Sequence, residues 1–173
     1  DETAAEIKAR IPNIDQMLDA YKDLTEVTLK VRKQATKDYS ALGKKVKKYA
    51  DSIGVKVTKE NRNSLAVVAL SPEEFTKYQV VRLLRRSDVL GSANKYNSVV
   101  PEELITYAMT NPYVRDYLDK VKVKGKKSAF QTIVSAILRL IGAKDSPQTE
   151  TLLSESIRSS VEFLREVELS MAM

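Results

Sequence analysis

Histidine, cysteine and tryptophan are all absent from this chain of 173 residues. Without imidazole or thiol, Ser-His-Asp and Cys-His triads are excluded, as are the nitrogen and sulfur ligands of common transition-metal centres. Disulfides are excluded as well, which leaves the compartment open. Glycine is scarce, with five in all and none in the spacing of a phosphate-binding loop. No apolar run approaches the roughly 20 residues of a membrane helix, since Ile133 to Ile141 is broken by Ser135 and Arg139. The opening stretch Asp1 to Arg10 has neither the apolar run nor the cleavage site of a signal peptide, and a start at Asp1 reads as a piece of something longer.

What remains is a charged, helix-forming sequence. Its hydrophobic share of 43% suffices for one sizeable core. The expectation is a soluble globular chain, mainly α, with six or seven helices and a small β-hairpin. Apolar residues Ile14, Met17, Leu18, Tyr21, Leu24, Thr28, Val31 and Ala35 recur at steps of three and four, which predicts a long amphipathic helix from Ile14 to Tyr39. Gly43 is expected to end that pattern, and a short helix carrying Val46, Tyr49, Ala50 and Ile53 to stop at Gly54, a residue suited to a positive-φ C-cap. Asp15, Asp19 and Asp23 lie one turn apart on the helix flank. Beside Lys22, Glu26 and Lys30 they read as an exposed face laced with ion pairs rather than a metal stripe.

Val55-Lys56-Val57-Thr58 alternates as a strand does, and Leu65 to Leu70 is a short apolar run, so the two are expected to pair as the hairpin. Ser71-Pro72-x-Glu74 is a capping box with proline at the first helical position. The helix it opens is expected to reach Arg86 or Leu90, with a loop over Asp88 to Asn94. Pro101-Glu102-Glu103 opens another, and Asn111-Pro112 must end it, because proline pushes the preceding residue out of the α region. The next helix uses Val114, Tyr117 and Leu118, and Lys120 to Lys127 with Gly125 reads as a basic loop. Two more helices are expected. One spans Ser128 to Ile141 with Phe130, Ile133, Val134, Ile137, Leu140 and Ile141 on one face, and the other about Thr149 to Leu169 with Leu153, Ile157, Val161, Leu164 and Val167.

Two of these segments carry a family resemblance. Glu73-Glu74-Phe75-Thr76-Lys77 leads into Val81-Arg82-Leu83-Leu84, and Glu103, Leu104, Ile105, Ala108, Thr110, Asn111 and Pro112 follow in a second helix. The pattern resembles phage-type zinc metallopeptidase domains of large multidomain phage proteins, in which an H-E-L-T-H helix precedes a segment ending T-N-P and a closing basic helix similar to Phe130 to Gly142. The resemblance covers about residues 65 to 165. It places Glu73 and Lys77 at the imidazole positions, Glu74 at the general-base position and Tyr107 at the third ligand. All three zinc ligands would then be missing, which implies a degenerate, zincin-like pseudoenzyme with no metal and no cofactor. The capping box already gives Glu74 a structural task. Residues 1–54 are expected to form a helical extension and 55–173 the degenerate domain, the two forming one compact unit in the alternative.

The net charge is +6, with 29 Lys and Arg against 23 Asp and Glu. Lys44, Lys45, Lys47 and Lys48 form one cluster, Arg82, Arg85 and Arg86 a second, and Lys122, Lys124, Lys126 and Lys127, next to Lys120, a third. Such clusters can neutralise phosphates in a salt-dependent way, or serve simply as solvated helix faces. They lack the interleaved aromatics on which single strands stack. The functional expectation is a non-catalytic structural module of a large bacteriophage protein, virion-internal or involved in genome ejection. Its partners would be its parent chain, other virion proteins and DNA through non-specific contacts, in the virion interior or host cytoplasm. The alternative is a free-standing basic accessory protein that coats nucleic acid.

Overall fold

In the computed structural model the structure describes residues 2–86 and 101–172. Among them are eight helices and one two-stranded hairpin. Helix α1 (Ala4–Arg10) opens on a Thr3/Glu6 capping box and leads into α2 (Ile14–Ser52), which at 39 residues is about 58 Å long. Helices α3 (Arg62–Ala69) and α4 (Pro72–Leu84) follow, then α5 (Pro101–Thr110) and α6 (Pro112–Lys120). The strands β1 (Lys122–Lys124) and β2 (Lys127–Ser128) precede α7 (Ala129–Leu140) and α8 (Pro147–Ala172).

The expected break at Gly43 does not occur, and α2 runs through it to Ser52. A single glycine costs a helix only about 1 kcal/mol. Leu42, Val46 and Ala50 extend the buried stripe past it, so packing outweighs that cost. Helix α2 does end as expected: Gly54 takes φ +70°, its N–H donates to Asp51 O, and Val55 N–H donates to Ala50 O. That pair of bonds is a Schellman closure.

The hairpin lies elsewhere than expected. Residues 55–58 are extended without a strand partner, and Leu65 to Leu70 is largely helix α3. A six-residue apolar run cannot distinguish the two states by itself. Here Leu65, Ala66 and Leu70 are buried while Val67 and Val68 are exposed, a one-sided pattern that fits a helix. The lysine-rich stretch expected as a loop forms the antiparallel pair instead, with Lys122 opposite Ser128 and Lys124 opposite Lys127. Val121 and Val123 are buried on either side of the exposed Lys122, and Gly125 at φ +57° makes the turn. The added α1 and α3, less the merger across Gly43, bring the described helices to eight.

The capping signals hold throughout. The Ser71 hydroxyl accepts from Glu74 N–H and the Glu74 carboxylate accepts from Ser71 N–H; Ser128 and Gln131 repeat this at α7. The Asn111 side chain accepts from Tyr113 and Val114 N–H, at 3.0 and 3.2 Å. Helix α4 stops at Leu84, short of Arg86 or Leu90. The loop expected over Asp88–Asn94 lies outside the described residues, as do the side chains of Val161, Leu164 and Val167. Ile141, expected on the core face of α7, is instead its exposed C-cap.

Helix α2 passes through both apolar clusters. In the larger, Ala20, Leu24, Val27, Val31 and Ala35 pack with residues of α4 to α8, Phe130, Ile133 and Leu118 among them. In the smaller, Leu42, Val46 and Ala50 meet Leu65, Ala66 and Leu70 and the Tyr78 ring. Each fully buried large side chain contributes about 1.5–3 kcal/mol. The stripe differs from the expected one, for Leu18 and Tyr21 are exposed and Ala20 and Val27 take their place in the core.

Candidate functional site

The four positions aligned with the peptidase motif have ordinary structural tasks. Glu73 is exposed in the first turn of α4, where its charge suits the helix dipole. Glu74 completes the capping box and forms an ion pair with Lys45 of α2. Hydrogen bonding from Lys45, then from the Ser71 backbone, holds its carboxyl below the usual range. Lys77 lies 3.7 Å from Asp38 in an ion pair that joins α4 to α2. Tyr107 packs against the larger core from α5. Helix α4 packs chiefly on α2, α6 and α3, whereas α5 packs on α6, α2 and α8. Among the described residues no three carboxylates come together in a way that fits a metal ion.

The basic candidates separate into two regions. Lys122, Lys126 and Lys127 belong to the hairpin, which is fastened to α2 by Lys30 donating to Val123 O. Lys127 lies 3.6 Å from Glu150. Lys44, Lys45, Lys47 and Lys48 lie some 14 residues further along α2, about 20 Å away at 1.5 Å per residue. The backbone of Lys124 is in β1, and Arg86 follows the α4 C-cap with its N–H donating to Leu83 O.

Around the second region the fold gathers residues that the linear clusters do not reveal. Tyr39 and Tyr78 stack with centroids 5.5 Å apart and planes within 10°. Arg85 sits 4.1 Å over the Tyr39 ring, and Arg62 donates to the Tyr39 hydroxyl at 3.4 Å. Arg82 donates to Asn63 at 2.6 Å, joining α4 to α3. Burial, and then the neighbouring Tyr39, raise the Tyr78 phenol above its usual range. These rings are engaged within the fold and are not free stacking platforms. Beside them lies a cleft of about 400 Å³ whose lining includes Gly43, Lys47, Lys56 and Arg62. Residues 39, 43, 46 and 47 share one face of α2 by their i, i+4, i+7, i+8 spacing. That spacing was legible; the arrival of Lys56, Arg62 and Tyr78 from other elements was not.

Helix α2 also carries a second apolar face. At 100° per residue, Leu18, Tyr21 and Leu29 fall within about 80° of one another, on a flank centred about 100° around the helix from Leu24, Val31 and Ala35. All three are exposed. The carboxylates expected to pair with lysines of their own helix are used differently: Asp19 and Asp23 each accept from Arg139 of α7 at 2.8 Å. No helix among the described residues is long and apolar enough to cross a membrane. No known protein family matches the sequence, and neither a curated protein nor a solved structure is detectably similar to it.

Proposed function

We propose that this chain is a non-catalytic interaction module, held to partner proteins through the second face of α2 and presenting a basic surface to nucleic acid. The exposed set Leu18, Tyr21 and Leu29 carries this reading. A helix already anchored in the core by one stripe gains nothing within the fold from a second, so that stripe suits a partner. The motif-position residues Glu74 and Lys77 are committed to a cap and to ion pairs, which suits a role without catalysis. The resemblance to degenerate phage peptidase domains suggests the setting: a segment of a large bacteriophage protein, in the virion interior or the host cytoplasm, packed beside its parent chain, neighbouring copies and DNA.

The second reading is a free-standing accessory protein that coats nucleic acid. It is favoured by the convergence of Lys47, Arg62 and Arg85 around Tyr39 and Gly43. Light scattering and duplex-binding anisotropy, each followed from about 50 to 200 mM salt, separate the two. The module reading expects self-association that is insensitive to salt and is lost in Leu18→Glu with Leu29→Glu. A monomer that binds a random duplex with a steep log-log salt slope would replace it with the coating reading.

A further inference from the structure

Gly43 sits inside a continuous helix, where glycine costs about 0.5–1 kcal/mol relative to alanine. No packing requirement keeps the position small, because a Cβ added there meets nothing within 4 Å. The missing side chain instead leaves open the floor of the cleft. Tyr39, Val46 and Val57 supply apolar wall, and Lys47, Lys56 and Arg62 supply three cations against one carboxylate, Asp51. The cations arrive from three separate stretches, so the arrangement is not the charge periodicity of one helix.

The mouth of the cleft is ordered by hydrogen bonds. Asn61 accepts from Thr58 N–H at 2.7 Å and donates to Lys56 O at 2.8 Å, which fixes the 56–61 turn. One Arg62 Nη is directed by the Tyr39 hydroxyl, and its other guanidinium N–H groups have no partner among the described residues. Lys45, two residues before Lys47 on α2, is paired with Glu74; Lys47 and Lys56 have no ion-pair partner among the described residues. The excess of two positive charges (three cations less one carboxylate) equals the charge of about −2 on a phosphate monoester at neutral pH. The volume lies within the usual range for small-molecule sites.

We propose that the Gly43 cleft binds a phosphate ester of nucleotide size, its phosphate held by Lys47, Lys56 and Arg62, its body against Val46 and Val57, and a hydroxyl donating to Asp51. The guanidinium fork and two ammonium groups favour a phosphate over a single carboxylate. The same chemistry is offered by a free nucleotide and by the 5′-phosphate end of a nucleic acid. This site shares no residue with the Leu18, Tyr21 and Leu29 face and does not depend on the module reading.

Calorimetric titration of the whole chain with AMP tests it, alongside an oligonucleotide with and without a 5′-phosphate. Saturable one-to-one binding of AMP is expected, weakened about tenfold in Lys47→Ala and in Arg62→Ala. Gly43→Leu should abolish binding without lowering the melting temperature, because leucine is the better helix former and fills only the cleft. Lys37→Ala, an exposed lysine of the same helix outside the cleft, should bind as the parent does. A preference for the 5′-phosphorylated oligonucleotide, lost in Gly43→Leu, would support the phosphate site and assign its source to a nucleic-acid end. Absence of saturable binding by either probe overturns the proposal. So does a Gly43→Leu variant that binds unchanged, or a Lys37→Ala loss equal to that of Lys47→Ala, which would mean diffuse surface attraction.

Discussion

The hydroxyl of Tyr117 donates a 2.7 Å hydrogen bond to Asp38, joining α6 to the middle of α2 across 79 residues of chain. Asp38 also accepts from Gln34 at 3.0 Å and lies 3.7 Å from Lys77, so one carboxylate ties three helices together. Tyr117→Phe keeps the ring in the core and removes only the donor. The expected loss is about 1–3 kcal/mol, the usual cost of depriving a charged acceptor of its bond. It should be read from urea denaturation at neutral pH.

The same bond predicts the alkaline behaviour. Burial, then hydrogen bonding to Asp38 and its charge, push the Tyr117 phenol well above the usual tyrosine range. A raised folded-state value means that the stabilisation is complete below the unfolded value of about 10 and declines as pH rises beyond it, because the unfolded chain loses its proton first. The gap between parent and Tyr117→Phe should therefore narrow from pH 8 to about pH 11. A gap constant over that interval would show that the phenol ionises equally in both states.

The two glycines at 43 and 142 should respond oppositely to the same change. Gly43→Ala adds a methyl that meets nothing within 4 Å inside α2 and should stabilise by about 0.5–1 kcal/mol. Gly142 ends α7 at φ +74°, with its N–H donating to Arg139 O and Ala143 N–H donating to Leu138 O. A Cβ there would lie 2.9 Å from the Asn13 side-chain nitrogen. Gly142→Ala should destabilise by about 1–2 kcal/mol from backbone strain alone. Thermal melts of the two variants check the pair.

How far the sequence could be read follows from how local each signal is. The Ser71/Glu74 box, the Asn111-Pro112 stop and the Gly54 cap are decided within a few residues, and the structure has all three. Gly43 misled because its cost of about 1 kcal/mol is local whereas the burial of Leu42, Val46 and Ala50 against α3 and α4 is not. Leu65 to Leu70 misled because a short apolar run acquires its period only from what it packs against. The Lys122-Val123-Lys124 alternation has a strand's period, but five lysines within residues 120–127 give the stretch a loop's composition, and only burial of Val121 and Val123 separates the two. The cleft was legible only in part, since Lys47 and Gly43 share a helix face whereas Lys56 and Arg62 reach them through a turn and a second helix.

Arg139 gives a rank-order prediction. Its two Nη atoms donate to Asp19 and Asp23 at 2.8 Å each, bridging α7 to successive turns of α2. The Asp19 side chain is 67% exposed and that of Asp23 only 15%. An exposed pair is worth little, whereas removing one partner of a sheltered pair leaves an uncompensated charge. Asp23→Asn should thus cost more than Asp19→Asn, by about 1 kcal/mol or more. Arg139→Lys should not rescue the pair of contacts, since one ammonium cannot reproduce a fork holding two carboxylates. Denaturant midpoints of the three variants, at matched salt, test the order.

Arg115 is the reverse case, a cation whose surroundings do not repay its burial. It is 7% exposed in α6, and its Nε and Nη1 have no hydrogen-bond partner among the described residues. The third nitrogen lies 3.8 Å from Asp116, a carboxylate facing solvent. Desolvating a guanidinium costs several kcal/mol, and each unsatisfied donor adds about 1–3. Methionine keeps most of the apolar stem and discards the charge and both orphan donors. Arg115→Met should therefore raise stability by about 1–3 kcal/mol, whereas Arg115→Ala should gain less or lose, because it also opens a cavity. If chemical denaturation finds Arg115→Met destabilised as much as Arg115→Ala, the guanidinium has a compensating partner in solution and its burial is not a net cost to the fold.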